Sequence, residues 1–169
     1  ITIPNNVHLI GEDSESTILD ASADQENESA VILIHEVETL TLKNFTLRNG
    51  YSEAHGCAGG GALLVAANDM YNPDNGNFGA EQGEISTPLI ENLIIEDSHS
   101  YTGGGLSFFR VNGPIVNNLI IRNNTSSLHG GGIFIYVSDV TLNDLTIYGN
   151  ETLGTEVDDI SHGGGIMIN

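Results

Sequence analysis

Gly130-Gly131-Gly132-Ile133-Phe134-Ile135-Tyr136 is one of four stretches in which three glycines open an apolar run. The others are Gly59-Gly60-Gly61-Ala62-Leu63-Leu64-Val65, Gly103-Gly104-Gly105-Leu106-Ser107-Phe108-Phe109 and Gly163-Gly164-Gly165-Ile166-Met167-Ile168-Asn169. A second pattern returns between them: Leu42-Lys43-Asn44-Phe45-Thr46-Leu47, Ile90-Glu91-Asn92-Leu93-Ile94-Ile95, Val116-Asn117-Asn118-Leu119-Ile120-Ile121 and Leu142-Asn143-Asp144-Leu145-Thr146-Ile147. Asn92 and Asn118 are 26 residues apart, as are Asn118 and Asp144. Asn44 and Asn92 are 48 apart with one glycine run between them, so one coil carries a long insertion, residues 66–87. Repetition at this period predicts a β-solenoid in which each repeat stacks on the last. Helical repeats share such periods, but here the apolar residues alternate with period two, β-branched residues fill the runs, and Asn and Gly fill the joints.

Within a coil, the glycine run opens one strand. A second ends at Leu42, Ile90, Val116 or Leu142, and a third begins after a two-residue corner. The corner's second residue is Asn44, Asn92, Asn118 or Asp144. These residue types tolerate a left-handed backbone, and stacked asparagines hydrogen-bond along the stacking axis. The column is therefore expected to be a structural ladder. The predicted architecture is all-β, three strands per coil, five to six coils, in a single domain over residues 1–169.

The three-strand coil with an Asn corner resembles the right-handed parallel β-helix of the pectin-lyase type. Residues Ile1-Thr2-Ile3-Pro4-Asn5-Asn6-Val7-His8-Leu9-Ile10-Gly11, then Thr17-Ile18-Leu19-Asp20, are similar to an early coil of such domains. Gly60-Gly61-Ala62-Leu63 resembles the Gly-Gly-Ala-aliphatic motif of bacterial polymorphic outer-membrane and related surface proteins. Ile121-Arg122-Asn123-Asn124 and Ile147-Tyr148-Gly149-Asn150 resemble their Phe-x-x-Asn companion, with Ile for Phe. The resemblance implies a secreted or cell-surface protein of a bacterium or archaeon. It does not fix an activity, because this fold hosts lyases, hydrolases, adhesins and phage proteins.

Twenty-three acidic residues face four basic ones, a net charge of −19. Nucleic acid and anionic membranes are therefore unfavourable partners, and no stretch is long enough to span a bilayer. Cys57 is the single cysteine, so no intrachain disulfide forms. The chain begins and ends inside strand patterns without a capping helix, as expected of a mature product or part of a longer solenoid. Open strand edges of that kind allow head-to-tail stacking on a second copy.

By period-two alternation, Leu63, Val65, Phe109, Phe134, Tyr136 and Met167 are expected to face outward with Ser107 and Asn169. That stripe holds no carboxylate, lysine or arginine. A glycoside hydrolase needs two carboxylates across the bond, and a polyuronate lyase needs a base and a charge stabiliser. The stripe thus reads as an apolar, aromatic interface for a surface protein, a polysaccharide or another copy, with a polysaccharide lyase as the enzymatic alternative. Catalytic groups for it would come from loops, where Arg48, Arg110 and Arg122 lie. His55, His99, His129 and His162 precede the glycine runs and could form a loose column. In the insertion, Asp69, Asn72 and Asp74 are candidate oxygen ligands for Ca²⁺, with Asn72 and Asp74 at alternate positions, without the spacing of the twelve-residue calcium loop. A second acidic cluster runs from Glu151 to Asp159.

Overall fold

The computed structural model describes residues 1–35, 39–53, 59–66, 87–154 and 162–169. Sixteen strands, numbered β1–β16 in chain order, build three sheets, and no helix occurs among the described residues. The first sheet runs β1 (Thr2–Ile3), β4 (Ile32–His35), β7 (Leu63–Ala66), β10 (Leu106–Phe109), β13 (Ile133–Tyr136), β16 (Ile166–Ile168). The second runs β14 (Asp139–Tyr148), β11 (Asn112–Arg122), β8 (Leu89–Glu96), β5 (Thr41–Arg48), β2 (His8–Ile10), with β3 (Ile18–Asp20) also on β5. The third runs β15 (Glu151–Thr152), β12 (Thr125–His129), β9 (His99–Thr102), β6 (Tyr51–Ser52). Every pairing between these strands is parallel, and each neighbour belongs to another turn of the chain. This is a stack of three-strand coils.

The coil is divided differently from the sequence expectation. The segments on either side of the Asn corner form one bent strand of the second sheet. The third sheet is built from Tyr51-Ser52, His99–Thr102, Thr125–His129 and Glu151-Thr152, polar segments that carry no apolar alternation. Its inward residues Ser52, Ser100 and Ser126 are buried. Two of them hydrogen-bond to the neighbouring coil: Ser100 Oγ donates to Ser52 O at 3.0 Å and Ser126 Oγ to Thr152 Oγ1 at 3.3 Å.

The core is a set of apolar columns. Leu63, Leu106 and Ile133 are in register, as are Val65, Phe108 and Ile135, and all six are buried. From the second sheet come Leu42, Ile90 and Val116, then Leu47, Ile95 and Ile121, all fully buried. Each such side chain contributes about 1.5–3 kcal/mol relative to exposure.

Leu63 and Val65 therefore face inward, which corrects the outward assignment made for them. Ala62 N donates to Gly105 O at 3.1 Å, so Ala62, not Gly61, occupies the place of the third glycine. Counting glycines shifts that coil by one residue, and a shift of one reverses every side chain.

The corner column has one backbone conformation: φ is 64° at Asn44, 53° at Asn92, 53° at Asn118 and 54° at Asp144. Asn92 Nδ2 donates to Asn44 Oδ1 at 3.1 Å, and Asn118 Nδ2 to Asn92 Oδ1 at 2.9 Å. Each rung donates toward the earlier coil. Asp144 has no amide to donate, and no hydrogen bond joins it to Asn118. A second left-handed column follows at Asn49, Asp97, Asn123 and Gly149. Behind it lies a buried ladder, in which Asn124 Nδ2 donates to Asn150 Oδ1 at 3.0 Å and to Ile95 O at 3.0 Å.

At the glycine bend the backbones of successive coils touch. A Cβ on Gly131 would collide with the carbonyl oxygens of Glu151 and Gly164, whereas one on Gly165 would meet nothing nearer than 3.7 Å. In the 169-residue chain, Gly131→Ala is expected to cost about 1–3 kcal/mol by overpacking against backbone, and Gly165→Ala little. Urea denaturation of the two variants checks this; equal midpoints would refute it. Asp144→Asn supplies the missing donor to Asn118 Oδ1 and should stabilise the fold by about 1 kcal/mol. A lower melting temperature than the parent would count against a donor-directed ladder.

Candidate functional site

The outer face of the first sheet carries two in-register columns. One is Leu64, Ser107, Phe134 and Met167; the other is Ala66, Phe109 and Tyr136. Phe109 and Tyr136 stack at 5.0 Å with 17° between ring planes, and Phe134 and Tyr136 lie 6.0 Å apart. The guanidinium of Arg110 sits 5.8 Å from the ring centres of both Phe109 and Tyr136, within cation–π reach. His129 stacks on Phe134 at 6.1 Å and lies 5.5 Å from the ring of His162. Thr102, Phe109, Arg110, Leu128, His129, Phe134, Tyr136 and Asn169 together line a cleft of about 170 Å³.

The stripe is thus not the open apolar patch expected from alternation. Phe109 is 1% and Phe134 2% exposed. The rings cover one another, Arg110 lies over two of them and His129 against the third. Tyr136 and Met167 stay half-exposed. Arg110 has φ 55°, and Val137, at the same place one coil later, has φ 45°. A branched residue in that region is strained, and such strain gathers where surrounding structure holds a site in shape.

The other three cations serve as staples on the second sheet. Lys43 Nζ meets Glu91 Oε2 at 2.9 Å. Arg48 Nε meets Asp20 Oδ2 at 2.8 Å, and Arg122 contacts Glu96 Oε2 at 2.5 Å. Asp20, Arg48, Glu96, Arg122 and Tyr148 form one column across successive coils, alternating in charge until it ends on the tyrosine. Hydrogen bonds that Arg122 donates to the Tyr148 hydroxyl oxygen and to the Glu96 carboxylate hold its guanidinium above its usual range. Arg48 and Arg122 are occupied by carboxylates, not placed in a groove.

The third sheet holds a cluster that sequence reasoning did not assemble. His99 Nε2 is 2.6 Å from Glu53 Oε1. His99 Nδ1 is 2.7 Å from Thr125 Oγ1, and the ring stacks on Tyr51 at 4.8 Å. Ser127 Oγ donates to the same Glu53 oxygen and lies 3.4 Å from His99 Nε2. The three side chains come from three successive coils. A bulge makes the meeting possible: Ser126 pairs with Ser100 and His129 with Thr102, so two residues of β12 stand opposite one of β9. The expected histidine column does not include His99, and a ring contact joins His129 to His162. His55, Cys57, Asp69, Asn72, Asp74 and Glu156–Asp159 lie outside the described residues. No cluster of three or more His, Cys, Asp or Glu able to hold a metal ion occurs among the described ones.

A family model for the right-handed β-helix region matches residues 30–169. The chain belongs to that family, which also fixes the hand of the stack. No curated protein and no solved structure matches it.

Hydrogen bonds from the Asn49 amide, then from Arg48, bring the Asp20 carboxyl down to about 2. A carboxyl lowered on folding stabilises the fold above its unfolded value, and that contribution is lost as pH falls from about 4 through 2. Asp20→Asn should therefore cost about 1 kcal/mol at pH 6, allowing for solvent screening at this exposed pair, and progressively less at pH 3. Urea titrations at the two pH values test the sign; an equal loss at both would refute it.

Proposed function

We propose that this member of the right-handed β-helix family is a secreted or cell-surface solenoid of a bacterium or archaeon that acts as a structural and adhesive scaffold, recognising a glycan in the cleft beside Tyr136. The observation that carries this reading is Arg110 over the Phe109–Tyr136 stack. A sugar ring lays its C–H face on the electron-rich face of an aromatic ring. The guanidinium over the same rings adds a cation–π contact that holds the stack in shape at the edge of the cleft.

Charge favours neutral glycans. At −19 the chain repels polyanions beyond contact range, and one local arginine does not reverse that. Adhesion through aromatic stacking also persists at high salt, where ion pairing is screened.

Affinity electrophoresis in gels containing neutral polysaccharides (xylan, mannan, β-glucan) or polygalacturonate tests the reading. Retardation by at least one neutral polymer is expected, with little change at 0.5 M salt. Tyr136→Ala should weaken binding by about tenfold or more, equivalent to about 1.4 kcal/mol. Arg110→Asn, chosen because Asn tolerates the left-handed backbone, should weaken it as well. Unretarded migration in every neutral gel, or undiminished binding by Tyr136→Ala, would sink the proposal.

A further inference from the structure

The Glu53–His99–Ser127 cluster has the parts of an activated nucleophile: a hydroxyl hydrogen-bonded to a base, and the base held by a third group. Ser127 Oγ donates to Glu53 Oε1. Glu53 is held by His99 Nε2 at 2.6 Å, and the imidazole is itself fixed by Thr125 Oγ1 and by the Tyr51 ring. The hydrogen bonds set the roles. One carboxylate oxygen accepts from both the serine and the imidazole, so Glu53, not His99, is placed to take the serine proton. His99 is a positioning residue that steadies the carboxylate.

Ser127 is 6% exposed. The side chains of Glu53 and His99 are 27% and 19% exposed, so the cluster opens to solvent on their side. The bulge that turns Ser127 toward Glu53 is a local break in an otherwise regular pairing, the kind of break that re-aims a side chain next to a reactive site. A purely structural link between coils needs no such break, as the asparagine ladders demonstrate.

We infer that Ser127, with Glu53 as base, is a nucleophile for acyl transfer and takes carboxylic esters of hydroxylated compounds as substrates. In the first half-reaction Ser127 Oγ bonds to the ester carbonyl carbon and its proton passes to Glu53 Oε1. Collapse of the tetrahedral adduct breaks the bond to the alcohol oxygen, which leaves with that proton. In the second half water adds to the acyl-serine carbonyl and gives a proton to Glu53. The Ser127–acyl bond then breaks, the proton returns to Oγ, and a carboxylic acid is released. No oxidant, reductant or metal enters this balance. The inference is independent of glycan binding at Tyr136, since an ester probe carries no sugar.

The test uses the full chain and an alkyl fluorophosphonate, which phosphonylates an activated serine with loss of fluoride. Peptide mapping by mass spectrometry is expected to place one label on Ser127 in the folded protein and none after heat denaturation. Glu53→Gln should slow labelling by about 100-fold or more, the scale of a lost general base. His99→Gln should slow it less and move the pH at which the labelling rate is half-maximal, which a merely structural role would not do. Release of p-nitrophenol from p-nitrophenyl acetate should follow the same order. An unlabelled Ser127 in the folded parent chain overturns the inference even if every variant misfolds. So does an undiminished labelling rate in a folded Glu53→Gln variant.

Discussion

Backbone hydrogen bonding between coils is the constraint on which everything else in this molecule depends. Successive coils lie about 4.8 Å apart, so each must return to the starting plane with its amides and carbonyls in phase with the coil below. The glycine bend and the left-handed corner enforce that return. At the bend, backbone packs on backbone, and Gly131 leaves no room for a Cβ. At the corner, four residues between φ 53° and 64° turn the chain by the same amount in each coil. Length can change only where no pairing is interrupted. The long insertion accordingly falls between the end of β7 at Ala66 and the start of β8 at Leu89.

The same constraint explains what the sequence revealed. The corner was legible because a left-handed backbone selects Asn, Asp or Gly, and residue type therefore reports backbone conformation directly. The glycine strands were legible because their inward residues are apolar. The third sheet was not, because its inward residues Ser52, Ser100 and Ser126 are polar, and Ser100 and Ser126 hydrogen-bond to the neighbouring coil. Alternation detects water avoidance, not strand geometry. Leu63 and Val65 were misread for a related reason: letters were aligned where the backbone was not, and Ala62 stood in for a glycine. The Glu53–His99–Ser127 meeting had no signal at all. Its members are 46 and 28 residues apart along the chain, and a bulge that no residue type announces brings them together.

Electrostatics in this chain is a matter of scarcity. Four cations are set against twenty-three carboxylates, so a cation's position carries more information than a carboxylate's. Lys43, Arg48 and Arg122 each lie in register with acidic side chains of the second sheet, where a flat parallel stack places equivalent positions directly above one another. Identical charges at such positions would repel, and alternation along the Asp20–Arg48–Glu96–Arg122 column removes that penalty. Arg110 stands elsewhere, over aromatic rings on another sheet. Its placement and its strained backbone set the cleft apart from the rest of the surface.

A perfect solenoid is poorly suited to chemistry. Stacking in register repeats each position in a column, so like tends to lie over like, as the asparagine ladders and the core columns show. Recognition and catalysis need several unlike groups to converge, and a plain column supplies at most alternating pairs, as along Asp20, Arg48, Glu96 and Arg122. The aromatic cleft and the Glu53–His99–Ser127 cluster both lie beside local departures from the usual backbone pattern. Arg110 and Val137 take a left-handed turn without an Asn or Gly, and β12 inserts a residue ahead of His129. Both departures cost conformational energy that the surrounding ladders are able to hold, because each coil is clamped on two sides by pairing that does not depend on the deviant residue. The regular part of the sequence thus specifies the scaffold, and its irregularities mark where side chains of different chemistry are brought within reach of one another.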